Sequence, residues 1–203
     1  MHLSQVAATS QARCALALFV LAAAICGADQ STLAGDSKVT TQTQAAHDSS
    51  HDFDFLYGKW TIHNRRLAKR LAGSHEWIEF ESTNECHPLP GGIGNEDIYL
   101  TAYWPNFVGM TFRFYNPATG QWDLWWIDNR NASAGLQPPV MGSFNGKVGV
   151  FEGPDQFEGK PIVVRFTWTL IDADHLRWEQ AFSPDAGKTW ETNWTMEVAR
   201  SAG

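Results

Sequence analysis

Two carboxylates, Glu79 and Glu81, lie two residues apart in the alternating segment EWIEFEST and are the first candidates for chemistry. In a β-strand such residues share a face, with Cα atoms roughly 6.5 to 7 Å apart. The pair can supply an acid and a base if burial raises the pKa of one member. Arg66 lies opposite Glu79 if a two-residue turn at Ala72-Gly73 joins the two segments, and its charge would favour ionised carboxylates. The catalytic candidates Glu79, Glu81 and Arg66 define one hypothesis, a cofactor-free isomerase, cyclase or hydrolase.

The direction in which these side chains point depends on the register of the first hairpin. The predicted register pairs Arg66 with Glu79 and turns Trp77 toward the same interior. A shift of one residue would turn Trp77 and Glu79 to solvent and bring Ile78 and Phe80 inside. We favour the polar interior, because Ile78 and Phe80 on the outside would otherwise need a covering element.

Other reactive residue types have weaker spacing. Cys86 and His87 are adjacent, and neighbours in a strand point to opposite faces, so a structural thiol is favoured over a nucleophile and base. His47 and His51, with neighbouring aspartates, have metal-like spacing only in a helix, which the polar composition around them disfavours. We predict no metal site.

Residues 183–190, SPDAGKTW, match the Asp box found in the β-propellers of sialidases. Propellers repeat blades of roughly 40 to 50 residues, whereas this chain of 203 residues has one such box. Asp185 and Gly187 within it are typical turn residues. The motif therefore predicts a hairpin corner and not a glycan-cleaving propeller.

The N-terminal region has the composition of a secretory leader followed by a spacer. Residues 14–28 are an uncharged apolar run preceded by Arg13, too short for the roughly 20 residues of a membrane-spanning helix. We predict a signal peptide at 1–28, with lipidation of Cys26 as a weaker alternative, a flexible spacer at 29–51 and a folded domain at 52–203. The predicted location is periplasmic or secreted, and Cys86 is then the one remaining cysteine.

The chain is acidic, with 15 basic and 22 acidic residues and a net charge of −7. Nucleic acids and anionic membranes are bound through basic patches, so neither is predicted as a partner. We expect a small-molecule ligand, no membrane insertion, and a monomer or weak homodimer.

From residue 52 onward the sequence alternates in the manner of β-strands. Ten segments rich in β-branched and aromatic residues are separated by turn signals such as Pro90-Gly91-Gly92, Asn145-Gly146 and Gly153-Pro154. Short strands joined by hairpins predict an all-β fold. We favour a single antiparallel up-and-down barrel of about ten strands over a two-sheet sandwich, because closure removes exposed edges.

The start of this domain carries a family signature. Residues 53–60, FDFLYGKW, resemble the opening of the lipocalin-like (calycin) barrels, and the chain is similar to bacterial exported lipocalin-like proteins of unassigned function. The resemblance implies that Trp60 closes the barrel floor and that Arg200 packs across it. The second Gly-rich element of haem-binding nitrobindins does not follow Trp60, and we predict no cofactor.

Ten tryptophans, all between Trp60 and Trp194, exceed what a barrel floor needs. Some fill the core, and others can present flat faces to an apolar, aromatic or sugar-like ligand. Trp125 and Trp126 point to opposite faces, which makes them rim candidates beneath a loop at 137–139. A surface module that docks a partner through exposed tryptophans is a further alternative. The predicted ligand-binding residues are Asn64, Arg66, Trp77, Glu79, Trp126, Trp178 and Trp194.

Overall fold

The computed structural model describes residues 47–201, in which ten antiparallel strands close into one barrel. Strands adjacent in sequence pair with each other, and the last strand closes on the first, from Trp60 opposite Arg200 to Arg66 opposite Trp194. The predicted all-β up-and-down barrel is therefore confirmed. The strands are β1 (Gly58–Leu67), β2 (Trp77–Pro88), β3 (Gly94–Thr101), β4 (Phe107–Asn116), β5 (Gln121–Asp128), β6 (Val140–Asn145), β7 (Val148–Phe157), β8 (Lys160–Leu170), β9 (His175–Ser183) and β10 (Glu191–Arg200).

Four short 3₁₀ turns accompany the strands, at Ser49–His51, Asp54–Leu56, Pro90–Gly92 and Ala132–Ala134. The predicted signal peptide and the predicted spacer up to residue 46 lie outside the described residues. Within residues 47–201, no helix is both long enough and apolar enough to cross a membrane.

The segment before β1 closes one end of the barrel. Phe53 is completely buried, and its ring contacts Trp122, Phe151 and Trp168 at centroid distances of 5.0, 5.4 and 5.8 Å. Burial of large aromatic side chains is among the strongest contributions to a protein core. The carbonyl oxygen of Ser49 accepts a hydrogen bond from the Trp122 indole at 2.8 Å, so the last residues assigned to the spacer also contact the barrel.

The predicted turn at Gly153-Pro154 is wrong, because β7 continues through both residues. Pro154 lies opposite Val163 of β8, whereas the pairing of β7 with β6 ends at Glu152 opposite Met141. Proline lacks an N–H donor and is tolerated in strands where one side has no partner. Pro154 therefore interrupts no hydrogen bond to β6.

The pairing between neighbouring strands is shortest between β5 and β6. Only Trp122 to Leu124 pair with β6, although β5 continues to Asp128. The connection at residues 129–139 then returns the chain to Val140. The β5 residues beyond Leu124 consequently border the open end of the barrel without a β6 partner.

Candidate functional site

A cavity of about 530 Å³ runs from the closed end at Trp60 to the loops at the opposite end. Small-molecule pockets in proteins have volumes of roughly 300 to 1,000 Å³. Gln137 and Pro138 contribute to its lining, as predicted for the loop over the mouth. The aromatic residues that line the cavity are Trp60, Tyr99, Trp104, Phe107, Trp125, Trp126, Phe157, Phe166, Trp168, Trp178, Phe182 and Trp194.

Four of the predicted ligand-binding residues line this cavity: Arg66, Trp126, Trp178 and Trp194. Strand alternation explains the placement, since Trp178 of β9 lies opposite Met196 of β10, and Met196 faces inward as well. The rings of Trp178 and Trp194 meet at nearly a right angle, with centroids 6.0 Å apart. The structure thus brings these four side chains together, and their contact with a ligand remains a prediction.

Asn64 also faces inward but is occupied by neighbouring side chains. It is completely buried, and its side-chain oxygen accepts hydrogen bonds from the Tyr99 hydroxyl at 3.0 Å and the Trp194 indole at 3.1 Å. Its amide donates to the Ser82 hydroxyl at 2.7 Å. Asn64 therefore fixes the orientation of two aromatic side chains that line the cavity.

Trp126 enters the barrel through space that a glycine provides. A Cβ atom added to Gly109 would lie 2.1 Å from the Trp126 ring, so only glycine accommodates the indole there. The indole nitrogen donates to Asp128 at 3.2 Å. Trp125 also borders the cavity, but its ring packs against Phe114 at a centroid distance of 5.7 Å, which agrees with the predicted divergence of the two tryptophans.

The register predicted for the first hairpin, with Arg66 opposite Glu79, is wrong by one residue. Arg66 lies opposite Ile78, and Arg65 lies opposite Glu79, so Trp77, Glu79 and Glu81 are on the outer face. The connection is longer than the expected two-residue turn: β1 ends at Leu67 and β2 begins at Trp77.

The inner face of β2 contains Phe80 in place of the glutamates. Its ring stacks on Tyr103 at 4.4 Å and packs against Trp104 at 5.3 Å. Burial of this phenylalanine against the loop after β3 favours the observed register over one that would enclose two carboxylates, whose desolvation is costly.

The two glutamates belong to an exposed polar ladder. Glu79 accepts a hydrogen bond from Arg65 at 3.0 Å, and Glu81 bonds to His63 at 2.7 Å. Their side chains are 55% and 72% exposed. Arg66 is on the opposite face of β1, so the structure does not assemble the predicted Arg66, Glu79 and Glu81 constellation.

The beginning of β10 also departs from simple alternation. A bulge between Thr192 and Trp194 reverses the face of the preceding residues. Alternation counted back from Trp194 would turn Trp190 inward, but Trp190 lies on the outer face, with its ring centroid 3.7 Å from the guanidinium carbon of Arg165. Sequence alternation cannot locate such an extra residue.

Arg66 is an inward-facing charge that contacts two of the lumenal tryptophans. Its guanidinium carbon lies 5.5 Å from the ring centroid of Trp104 and 5.4 Å from that of Trp194. Its buried Nε atom has no hydrogen-bond partner among the described residues. Burial lowers the pKa of Arg66, partly offset by nearby Tyr103 and Tyr99.

A second polar group lies deeper in the barrel. Arg113 and Asp97 form an ion pair with side chains only 2% and 3% exposed, and Arg113 also donates to Asn95 at 3.0 Å. The guanidinium packs against Phe53 and Trp168. Three atoms of this group, Asn95 Nδ2, Asp97 Oδ1 and Arg113 Nε, have no partner within residues 47–201.

Arg113 was not among the residues predicted to form the site, although it lines the cavity. Phe112 and Phe114 flank it in β4, and apolar residues at alternate positions favour their own face as the buried one. One sequence pattern could have indicated this inward-facing ion pair. It is an arginine between two aromatic residues in one strand, together with an aspartate in the neighbouring strand.

The remaining reactive residues have structural surroundings. Cys86 is buried, and its thiol lies 3.8 Å from the Asn95 side-chain oxygen. Burial raises the pKa of this thiol to about 12. His51 bonds to Asp54 at 2.8 Å. No cluster of three or more His, Cys, Asp or Glu residues in the described part of the chain has an arrangement that could hold a metal ion.

Three features can support a function: the cavity with its aromatic residues, its closed end at Trp60, and the arginines that face inward. No protein-family model matches this chain, and comparison with curated proteins finds no significant match.

Proposed function

We propose that this protein binds a small apolar or aromatic ligand inside the barrel. The observation that supports the proposal is the cavity of about 530 Å³, whose lining includes twelve aromatic residues. Aromatic side chains offer large apolar surfaces and favour edge or offset contacts with flat ligands. The interior also contains polar groups that can fix a ligand's orientation, as pockets of this kind do.

The lipocalin-like family and export are parts of the same proposal. The packing of Arg200 on Trp60 supports the family resemblance, because it reproduces the contact that the resemblance implies. The apolar run before residue 28 supports export to the periplasm or the medium. Sequencing of the mature N-terminus tests export: a start near Asp29 supports it, and an intact N-terminus in the cytoplasm contradicts it.

Ligand binding is tested with N-phenyl-1-naphthylamine, a neutral aromatic probe whose affinity is measured by isothermal titration calorimetry. We expect saturable binding to one site per chain. The location is tested by replacing a small side chain of the cavity wall, in Thr111→Trp, so that an indole occupies part of the cavity.

Thr167→Trp is the matched control, since Thr167 lies between the lumenal residues Phe166 and Trp168 and points to the outer face. We expect Thr111→Trp to weaken binding at least about tenfold, or 1.4 kcal/mol, and Thr167→Trp to leave it unchanged. Equal affinities of both variants, with melting temperatures close to that of the parent, would place the probe outside the barrel.

A further inference from the structure

The charged residues of the cavity are not balanced. Four arginines and three aspartates line it, in a chain whose overall charge is −7. The Asp97 carboxylate is engaged with Arg113 at depth. The other three arginines, Arg66, Arg70 and Arg130, line the part nearer the mouth, and within residues 47–201 none of them forms a salt bridge.

Arg66 contacts two aromatic rings but has no polar partner among the described residues. Trp104 and Trp194 both lie within 5.5 Å of its guanidinium carbon. These contacts attract the cation, but aromatic rings do not replace oxygen acceptors for the five N–H donors of a guanidinium. Its side chain donates no hydrogen bond to any described residue, and its Nε is inaccessible to solvent. A half-buried cation in this state gains from a partner that accepts hydrogen bonds.

Arg130 and Arg70 extend the positive region around Arg66. Arg130 lies against the same Trp104 ring, at 5.8 Å, and against Phe107 at 5.5 Å. Arg70 lies over Phe157 at 4.5 Å. Burial and then the charge of Arg66 lower the pKa of Arg70 to about 10, although Glu158, Asp155 and Glu191 act in the opposite direction.

The acids near the mouth do not neutralise Arg66. Asp128 accepts hydrogen bonds from the Trp126 indole, the Arg130 backbone and the Asn131 side chain. Burial raises the pKa of Asp128, but these hydrogen bonds outweigh burial and the pKa is lowered overall. Within residues 47–201, no carboxylate lies within salt-bridge distance of the Arg66 guanidinium.

We infer that the ligand is a carboxylate with an apolar or aromatic body, and that Arg66 binds its carboxylate at the mouth while the body occupies the aromatic cavity. This inference rests on the proposed function, since it assigns the chemical class of the same ligand. Arginine binds carboxylates through two parallel N–H donors, and within residues 47–201 no carboxylate forms a salt bridge with Arg66. Arg70 and Arg130 add positive potential at the same end of the cavity.

The test compares 2-naphthoate with 2-naphthamide, which has nearly the same shape and no charge. At pH 7 the acid is ionised, because carboxyl groups have a pKa of about 4. We expect calorimetry on the unaltered protein to show that the acid binds about ten- to a hundredfold more tightly, the usual worth of a charge-assisted hydrogen bond. Added salt should weaken binding of the acid and leave binding of the amide unchanged.

Arg66→Met retains a long apolar side chain beside the tryptophans, and Arg65→Met is the matched control on the outer face of the same strand. We expect Arg66→Met to remove the preference for the acid and to change the amide affinity less than about threefold, whereas Arg65→Met keeps the preference. Arg66→Lys, which retains the charge but not the two-donor geometry, should give an intermediate value.

The possible failures are distinguishable. Equal binding of acid and amide by the unaltered protein would overturn the inference and leave the proposed function intact. A preference that persists in Arg66→Met would overturn the assignment to Arg66. Binding of neither compound by a protein that binds N-phenyl-1-naphthylamine would overturn the inference alone, whereas binding of none of the three would also contradict the proposed cavity ligand. The comparison of the two compounds uses the unaltered protein, so it is decisive even if a variant folds poorly.

Discussion

The guanidinium of Arg200 lies over the indole of Trp60, with 4.1 Å between the guanidinium carbon and the ring centroid. The same side chain donates to the carbonyl oxygens of Tyr57 at 2.9 Å and Phe55 at 3.1 Å, and to Asp174 at 3.1 Å. The end of the last strand is thereby joined to the segment that plugs the barrel, and the closed end of the cavity depends on this contact.

Trp60→Ala is expected to lower the free energy of unfolding by about 3 to 5 kcal/mol, because it removes a fully buried aromatic side chain. Arg200→Ala should cost less, since part of its side chain is solvent-exposed. Urea denaturation measures both values, with Trp77→Ala on the outer face as the control. A Trp60→Ala variant as stable as the parent would show that Trp60 does not close the floor.

The sequence was sufficient for the architecture because strands and turns are encoded locally. Alternation identified ten strands, and the closed order in which each strand pairs with its sequence neighbours follows from hairpin connections. The Pro154 position was predicted as a turn because proline usually ends a central strand, and the sequence does not show that β6 stops short of it.

The face of the sheet on which each side chain lies was less predictable. Strand alternation has a period of two, so one extra residue moves every following side chain to the other face. The nine residues between β1 and β2 contain left-handed conformations at both Leu71 and Gly73, whereas the sequence suggested only the glycine. The bulge before Trp194 has the same effect on Trp190. Inward Trp178 and Trp194 were predictable because they lie beyond these irregularities.

Glu79→Gln tests the corrected register. Exposed ion pairs contribute roughly 0.2 to 1 kcal/mol, so stability should change by no more than about 1 kcal/mol. Affinity for N-phenyl-1-naphthylamine should stay within about twofold of the parent value, because Glu79 is separated from the cavity by the barrel wall. A large loss of affinity without a loss of stability would indicate that Glu79 lies inside the barrel, and would contradict the observed register.

Asp97→Asn should be strongly destabilising, by about 3 to 5 kcal/mol, because it leaves the Arg113 cation buried without its counterion. The double variant Asp97→Leu with Arg113→Met removes both charges and should recover much of that loss. Urea denaturation of the three proteins forms the comparison. A double variant less stable than Asp97→Asn would contradict this prediction, because it would show that the pair stabilises the fold by more than the mutual neutralisation of two buried charges.

Cys86 should be inert in the folded protein. Its raised pKa of about 12 keeps it protonated at pH 8, and the thiolate is the reactive form. We expect the peptide that contains Cys86 to remain unmodified by a thiol-specific reagent such as iodoacetamide until the protein is unfolded in urea, after which mass spectrometry should show its alkylation. Rapid alkylation of the native protein would show that the thiol is accessible and would contradict its burial beside Asn95.

The central claim is that a ligand enters the barrel, and the ten tryptophans provide the most direct measurement. The indole N–H signals of nitrogen-15-labelled protein are assigned by single replacements, and nuclear Overhauser contacts to bound N-phenyl-1-naphthylamine are recorded. Contacts to Trp104, Trp178 and Trp194, which line the cavity, with none to the outer-face residues Trp77 and Trp190, are predicted. Contacts confined to Trp77 or Trp190 would place the probe on the outer surface and contradict the account.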